Sequence, residues 1–166
     1  MPDSPARLAE RLRTEGEKSL EFFANLPEQA WEVEIYTDGA VWKLHQIIAH
    51  YASSEAAFGL LIEAILEGGS GAAEDFDLNR FNRKEVSKLS GLAYPELLRR
   101  YQEYRRENIA RVARMLPADL ERQGRHPFMG VTTMEEIIKM IYRHNQIHQR
   151  EVRQALAKQN LDKPAR

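Results

Sequence analysis

Four long segments with helical periodicity constrain the fold of this 166-residue chain more than any other feature of its sequence. Apolar residues recur every three or four positions in each segment, and no stretch alternates between apolar and polar residues for long enough to build a sheet. The predicted helices cover residues 5–26, 41–67, 94–115 and 132–158. Four helices of about 20 to 27 residues are typical of an all-α four-helix bundle.

The ends of these helices follow from glycine, proline and capping residues. Residues 68–71 (GGSG) end the second helix, because successive glycines are poorly tolerated inside a helix. Pro117 closes the third helix. Either Thr132 or Thr133 caps the fourth helix, since each is followed three residues later by a glutamate. We expect a single domain over residues 1–166, with a core of about 5–158.

The link between the second and third predicted helices constrains the topology. It has about 26 residues, whereas the other two links have about 14 to 16. An extended chain of at least ~11 residues can return along a helix of ~25 residues, so the long link can serve as a crossover. Periodicity over residues 78–89 predicts a short surface helix inside it. No internal repeat is apparent.

Two histidines on the fourth predicted helix, His144 and His148, are the strongest sign of a functional site. Their spacing of four residues places both imidazoles on one face of the helix, as a helical metal site requires. They continue a predicted core-facing stripe, which comprises Ile137, Ile141, His144, His148, Glu151 and Ala155. The two histidines stand where leucine or isoleucine is expected.

A third histidine, His50, lies on a similar stripe of the second predicted helix. That stripe comprises Ile47, His50, Ser54, Ala57, Leu61 and Ala64, and its small residues leave room for an ion and a ligand. His50 is about 9 residues from the start of its helix, and His148 is about 10 residues from the end of the fourth helix. These depths agree if the two helices are antiparallel. The crossover and the matched histidines therefore favour an up-down-down-up topology.

Three inward imidazoles need a metal ion, a hydrogen-bond network or water, because burying unpaired polar groups is unfavourable. A metal ion is the economical solution. The sequence has no cysteine, so its ligands must be histidine or carboxylate. We predict that His50, His144 and His148 bind one divalent ion. Zinc is the first choice and nickel the second, because imidazole suits both.

Other residues compete for a role in this site. His45 lies roughly 140° around the helix from His50, at about 100° per residue, so only one of them can face the fourth helix. We interpret His45 as structural. His126 lies in the loop before the fourth helix and is not expected to be a ligand. Glu151 is the predicted catalytic residue, and its alternative roles are a fourth ligand, an orienting partner of a ligand or half of a salt bridge.

The charge balance limits the expected partners. With 24 basic and 25 acidic residues the net charge is −1, so no global field attracts nucleic acid or an anionic membrane. The arginines of the third predicted helix lie at pairing distances from glutamates, which favours an ion-paired, solvated surface over a nucleic-acid interface. No apolar run reaches 18 residues and no signal peptide is visible. We expect a cytoplasmic protein with a small-molecule substrate and neither nucleic-acid nor membrane partners.

The chain resembles the DinB/YfiT-like superfamily of bacterial metal-binding four-helix bundles over residues 5–158. The resemblance lies in Trp42 eight residues before His50 in VWKLHQIIAHYASSE, and in Glu55 five residues after it. It continues in the PFMGVTTMEEII approach to the fourth helix and in RHNQIHQRE, which carries the histidine pair. The resemblance implies an up-down-down-up bundle, one zinc or nickel ion on the three histidines, and homodimers.

The resemblance also narrows the function. Members of this superfamily include thiol transferases that use low-molecular-weight thiols, mycothiol-dependent isomerases and metal-dependent hydrolases. Many relatives carry glutamine where this chain has Glu151, which changes the charge of the site.

Two hypotheses about function follow. In the first, the protein is an enzyme of the thiol transferase or hydrolase type. Its metal activates a low-molecular-weight thiol or water for attack on a small electrophile, and Glu151 moves a proton. Because the chain lacks cysteine, the thiol must come from outside. In the second, the protein is a non-catalytic, stress-associated metal-binding module. A coordination position left open for water favours the enzyme, and a fourth protein ligand favours the module.

Overall fold

The computed structural model describes residues 3–37 and 39–162, and the four predicted helices are present in it. The helices of this part of the chain are α1 (Pro5–Ala24), α2 (Leu44–Leu66), α3 (Leu78–Leu89), α4 (Tyr94–Ala113) and α5 (Met134–Ala157). The short surface helix predicted inside the crossover coincides with α3. Residues 1–2 and 163–166, the ends of the predicted domain, lie outside the described residues.

Side-chain caps explain where two of these helices start. The side chain of Asp77 accepts a hydrogen bond from the backbone N–H of Arg80 at 2.9 Å and starts α3. The side chain of Thr133 accepts from the backbone N–H of Glu136 at 3.3 Å and starts α5. Of the two predicted caps of the last long helix, Thr133 is therefore the cap and Thr132 is not.

Two β-hairpins fill the links in which no strand was expected. β1 (Glu34–Thr37) pairs antiparallel with β2 (Ala40–Lys43), and β3 (Gln123–His126) pairs antiparallel with β4 (Gly130–Thr133). Each strand has 4 residues, too few for an alternating pattern to stand out in the sequence. The first residues of two predicted helices belong to the hairpins instead. As a result, α2 begins at Leu44 rather than at residue 41.

The chain repeats one structural unit, although no internal repeat is apparent in its sequence. In each unit a Leu-Pro pair leads into a 3₁₀ helix, a hairpin and a long helix; the 3₁₀ helices are Glu28–Glu32 and Pro117–Glu121. The backbone N–H of the first residue of each long helix donates to the carbonyl oxygen of the residue that follows the 3₁₀ helix. Leu44 donates to Val33 at 2.9 Å, and Met134 donates to Arg122 at 2.7 Å. The side chains of the two units differ, so their likeness lies in the backbone.

The long helices form a four-helix bundle with up-down-down-up topology, as predicted. α4 packs against both α1 and α2, and α5 also packs against both. The chain passes from α2 to α4 through residues 67–93, the predicted crossover, and α3 packs against α2 on the way. The two helices that carry the histidines, α2 and α5, are therefore neighbours.

The buried stripes of α2 and α5 are rotated slightly from the predicted ones. The buried residues of α5 after Ile141 are Asn145, His148, Val152 and Leu156, whereas His144, Glu151 and Ala155 are only partly buried. Asn145 is tolerated in the core because its side-chain N–H donates to the Tyr101 hydroxyl at 2.8 Å and its backbone carbonyl accepts from the Tyr51 hydroxyl at 2.5 Å. The predicted stripe of α5 thus runs along the edge of the core.

A buried ion pair joins three helices of the bundle. Arg105 on α4 is 3% exposed and donates to Glu55 on α2, which is 2% exposed, at 2.5 Å. It also donates to the backbone carbonyl of Leu12 on α1 at 2.9 Å. The prediction of a solvated, ion-paired face holds for Arg99, which pairs with Glu96 at 2.6 Å, but it is wrong for Arg105.

Candidate metal centre

Three imidazoles converge between α2 and α5. His50 comes from α2, and His144 and His148 come from successive turns of α5. The Nε2 atom of His144 lies 2.9 Å from that of His50 and 3.0 Å from that of His148. The three residues predicted as ligands therefore face one point, and we call them the histidine triad.

The geometry of the histidine triad fits one divalent ion. Nitrogen ligands lie about 2.0 to 2.1 Å from zinc, so two ligands at angles between the octahedral and tetrahedral values are roughly 2.9 to 3.4 Å apart. The two Nε2 to Nε2 distances of 2.9 and 3.0 Å fall at the lower end of this range. Within residues 3–37 and 39–162, the histidine triad is the group of histidine and carboxylate side chains whose ligand atoms are close enough to share an ion.

Hydrogen bonds on the far side of the rings orient two members of the histidine triad. The Nδ1 atom of His148 lies 3.0 Å from Glu151 Oε2 and 3.1 Å from Thr37 Oγ1. Because a carboxylate only accepts, Nδ1 carries the proton and Nε2 presents its lone pair to the centre. Ser54 Oγ lies 3.3 Å from Nδ1 of His50 in a similar way.

Two of these contacts were missed from the sequence. Ser54 lies four residues, about one helical turn, after His50, and this spacing could have indicated the contact between them. Thr37 is the last residue of β1, and no local pattern connects it with His148. The environment of His45 fits the structural role expected for it, since its Nε2 atom lies 2.7 Å from the carbonyl oxygen of Leu92.

Burial keeps two members of the histidine triad, His50 and His144, neutral. Desolvation, helped by the neighbouring His148, lowers the pKa of His50 to about 3. Desolvation, with smaller effects of His50 and His148, lowers the pKa of His144 well below its usual value of 6.5. A metal ion binds neutral imidazole, and these two lowered pKa values leave the lone pairs of His50 and His144 available at neutral pH.

His126 lies in a different environment from the open loop expected for it. It is the last residue of β3, it is 8% exposed, and its ring stacks on Phe58 with 5.5 Å between the ring centroids. The backbone N–H groups of Phe128 and Met129 donate to its Nδ1 atom at 3.1 and 3.3 Å. His126 therefore shapes the β3–β4 turn, and it is not part of the histidine triad.

A cavity of about 650 Å³ opens beside the histidine triad. Its walls come from α2, α3, α4 and α5, from the β3–β4 hairpin and from the crossover before α3. Most of the lining is apolar and includes Phe58, Leu61, Phe76, Phe81, Met140 and Ile147. The small residues Ser54 and Ala57 of the predicted α2 stripe also line it, so that stripe provides room beside the site, as the sequence suggested.

Gly71 holds the crossover against the wall of the cavity. The backbone of Arg125 on β3 donates to Ser70 and accepts from Ala72, each at 2.8 Å. Gly71 has a φ of +88°, and a Cβ atom there would lie 2.5 Å from the Arg125 backbone nitrogen. A glycine is thus required at this position. From the sequence alone, Gly71 was expected only to help end the second helix.

Acid is expected to destabilise the metal-free protein in part through His126. Burial lowers the pKa of His126 to about 4, from the value of 6.5 expected in the unfolded chain. As the pH falls from 6.5 towards 4, the unfolded chain binds a proton that the native chain does not. The free energy of unfolding therefore falls, by up to roughly 3 kcal/mol for this group.

His126→Asn is the variant that tests this pH dependence. The Asn Oδ1 atom can accept the two turn hydrogen bonds in place of Nδ1, but it does not titrate. Urea unfolding at pH 7.5 and pH 4.5 should show a smaller loss of stability in the variant than in the parent protein. Equal losses in both proteins would contradict the assignment to His126.

The chain belongs to the DinB superfamily, since the sequence model of that superfamily matches residues 3–152. No curated protein matches the chain. Among solved structures it is similar to YfiT from Bacillus subtilis, described as a probable metal-dependent hydrolase with an unusual four-helix bundle topology. The TM-score is 0.70 and the identity 16%, over 94% of this chain and 86% of that chain.

A second similar structure is a mycothiol-dependent maleylpyruvate isomerase. The TM-score is 0.72 and the identity 14%, over 92% of this chain but 61% of the isomerase. At identities of this size the similarity establishes the fold and leaves the activity to be argued from the site.

The expectation that nucleic acid is excluded as a partner was wrong. The fold is also similar to that of the colibactin self-resistance protein ClbS, which was crystallised in complex with double-stranded DNA. The TM-score is 0.67 and the identity 15%, over 93% of this chain and 98% of that chain. A net charge near zero describes the whole surface, whereas DNA contacts need only a local arrangement of charge. As to membranes, none of the described helices combines the length and the apolar character of a membrane span.

Proposed function

We propose that His50, His144 and His148 bind one divalent metal ion and that the protein is a metal-dependent enzyme acting on a small electrophilic molecule. The observation that carries this proposal is the convergence of three Nε2 atoms, at 2.9 and 3.0 Å, beside a cavity large enough for a small molecule. The similarity to YfiT, described as a probable metal-dependent hydrolase, agrees with it.

Zinc is the first candidate for this ion and nickel the second, because neutral imidazole suits both. Three neutral ligands leave the double positive charge uncompensated, so the bound ion would act as a Lewis acid that lowers the pKa of water or of a low-molecular-weight thiol. The chain has no cysteine, so a thiol reaction requires a thiol from outside.

Glu151 is proposed to hold His148 in the orientation that binds metal. Its carboxylate contacts Nδ1, on the side of the ring away from the histidine triad's centre. Such carboxylate–histidine pairs fix the tautomer and raise the basicity of a ligand. The alternative of a fourth ligand is not favoured, since Glu151 is outside the group of side chains that could share an ion. Proton transfer by Glu151 stays a prediction.

Glu151→Ala is expected to weaken metal affinity by about 10- to 100-fold, the usual effect of losing an orienting partner. Glu151→Gln should recover most of this affinity, because the amide oxygen still accepts from Nδ1–H. Isothermal titration with zinc measures both. A Glu151→Gln protein that binds zinc normally but loses all activity would instead support proton transfer by the carboxylate. Equal affinities in all three proteins would exclude the orienting role.

The alternative hypothesis of a non-catalytic metal-binding module is less well supported. A structural site is closed by four protein ligands. In the described part of the chain three ligand atoms converge, and the three histidines line the cavity. This arrangement leaves a position that a substrate can reach.

The test of the proposed function is a reaction screen with metal-loaded protein. Zinc- and nickel-loaded samples are incubated with a set of electrophiles, each with and without low-molecular-weight thiols. Product formation that needs both metal and thiol identifies a transferase, and formation with water alone identifies a hydrolase. His148→Ala is the matched control. A protein that binds metal but gives no product above this control would support the module instead.

A further inference from the structure

We propose that the cavity beside the histidine triad binds a molecule with an apolar body and one acceptor oxygen, and that Nε2–H of His126 donates a hydrogen bond to that oxygen. The inference deepens the proposed function, on which its catalytic meaning rests, by naming the class of molecule that reaches the site. The binding itself can be tested without metal.

The cavity is suited to an apolar body. Its volume of about 650 Å³ lies within the range of roughly 300 to 1,000 Å³ that small-molecule sites occupy. Its lining also includes exposed apolar side chains, namely Leu60, Phe76, Phe128 and Ile147. Exposed apolar groups collected around a concave surface mark a binding site more often than a random surface does.

The tautomer of His126 follows from its two backbone contacts. The N–H groups of Phe128 and Met129 both donate to Nδ1, so Nδ1 is an acceptor and the neutral ring carries its proton on Nε2. Both hydrogen bonds of this ring within the described residues use Nδ1. The Nε2–H group is therefore a donor that the fold itself does not use, on a nearly buried ring that lines the cavity.

Several other polar side chains of the cavity already have partners. Lys88 Nζ donates to Glu85 at 2.6 Å. Ser53 Oγ donates to the His50 carbonyl at 3.1 Å, and Ser54 lies against the His50 ring. Asn82 and Tyr104 also line the cavity, but they are partly exposed and can be satisfied by water. His126 is thus a nearly buried donor that the fold leaves unused and that a ligand oxygen would satisfy.

Phe58 sets the distance between this donor and the histidine triad. Its ring centroid lies 5.5 Å from that of His126 and 6.3 Å from that of His144. The Nε2–H donor of His126 and the histidine triad are therefore separated by a single aromatic side chain, that of Phe58. A ligand of one or two rings, with its oxygen at His126, can place another of its atoms beside the histidine triad.

The experiment compares two fluorescent probes that differ by one group. 1-Anilinonaphthalene-8-sulfonate has an apolar body and acceptor oxygens, and N-phenyl-1-naphthylamine has the same body without the sulfonate. Both are titrated, in the presence of chelator, into the parent protein, His126→Asn and His126→Gln. The Asn side chain retains an acceptor at the position of Nδ1, and the Gln side chain retains a donor at the position of Nε2.

We expect both probes to bind the parent protein. A hydrogen bond to a charged group is worth about a factor of ten or more, so His126→Asn should bind the sulfonate at least about tenfold more weakly. His126→Gln should stay close to the parent, and the neutral probe should bind all three proteins within about threefold. Tyr104→Phe, which removes another donor of the cavity, is the matched control and should keep both affinities.

Four results of these titrations would overturn the proposal, and a fifth follows from their dependence on protein concentration. They are equal sulfonate affinity in His126→Asn and the parent, a loss in Tyr104→Phe instead, no binding of the neutral probe, and unchanged binding of both probes when Ala57→Trp fills the cavity. Ser53→Trp replaces Ala57→Trp if the latter does not fold. A second copy of the chain covering the cavity would make both affinities fall with protein concentration, and this too would overturn it.

The result of the probe titrations is independent of whether the proposed metal-dependent function is correct. Because the titrations are done in chelator, a protein that binds no metal can still give the expected probe affinities. Conversely, a protein that binds metal through the histidine triad can fail every probe test.

Discussion

Arg105→Ala is expected to lower the free energy of unfolding by about 3 to 5 kcal/mol, because it leaves the Glu55 carboxylate charged and buried without its partner. The two side chains are 3% and 2% exposed and lie 2.5 Å apart, so the carboxylate left behind is shielded from bulk solvent. The variant also removes the donor to the Leu12 carbonyl on α1. Urea unfolding followed by far-ultraviolet circular dichroism measures the loss.

Two controls separate the buried charge from a general effect of losing arginine. Arg99→Ala removes an exposed ion pair with Glu96 and should change stability little. Replacing both members of the buried pair, as in Glu55→Leu with Arg105→Met, should recover much of the loss, because no unpaired charge remains. A loss in Arg99→Ala equal to that in Arg105→Ala would contradict this explanation.

His50→Leu is expected to abolish metal binding and yet leave the metal-free protein at least as stable as the parent. The imidazole is 3% exposed and contributes a ligand atom to the histidine triad. Its loss should weaken affinity by more than the roughly 10- to 100-fold caused by losing an orienting partner. Leucine fills a similar volume and needs no hydrogen bond, so the metal-free fold should not suffer.

Thermal melts with and without zinc provide the readout for His50→Leu. Zinc should raise the melting temperature of the parent protein by mass action and leave that of His50→Leu unchanged. His45→Leu, on the same helix, should keep the zinc-dependent shift, because His45 contacts the Leu92 carbonyl and lies outside the histidine triad. If His45→Leu loses the shift while His50→Leu keeps it, the face of α2 has been assigned wrongly.

The helices could be predicted from the sequence because their signals are local. Apolar periodicity located four long helices and the short α3, and capping chemistry narrowed the start of α5 to Thr132 or Thr133. The length of the crossover and the depths of His50 and His148 gave the topology. Each of these arguments needs only the spacing of residues along one segment.

The hairpins and the repeat could not be predicted, because four-residue strands carry too little pattern. Their effect on the site is not local either. Thr37, at the end of β1, contacts His148 on α5, and His126, at the end of β3, stacks on Phe58 of α2. Each hairpin thus places its first strand against the long helix of the other unit. A spacing rule cannot detect a contact between residues 111 positions apart.

The candidate site was predictable to the extent that it depends on helix geometry. The four-residue spacing of His144 and His148 placed their rings together, and the three-residue spacing from His148 to Glu151 placed that carboxylate at Nδ1. The burial of His126 was not predictable, because it depends on the β3–β4 turn and on the crossover that closes the cavity.

Metal content is the most direct measurement of the central claim. Elemental analysis of protein purified without chelator, and again after reloading with zinc or nickel, should find one divalent ion per chain in the parent protein. His144→Ala and His148→Ala should each contain almost none, while both stay helical by circular dichroism. Unchanged metal content in these two variants would contradict the histidine triad as the metal site.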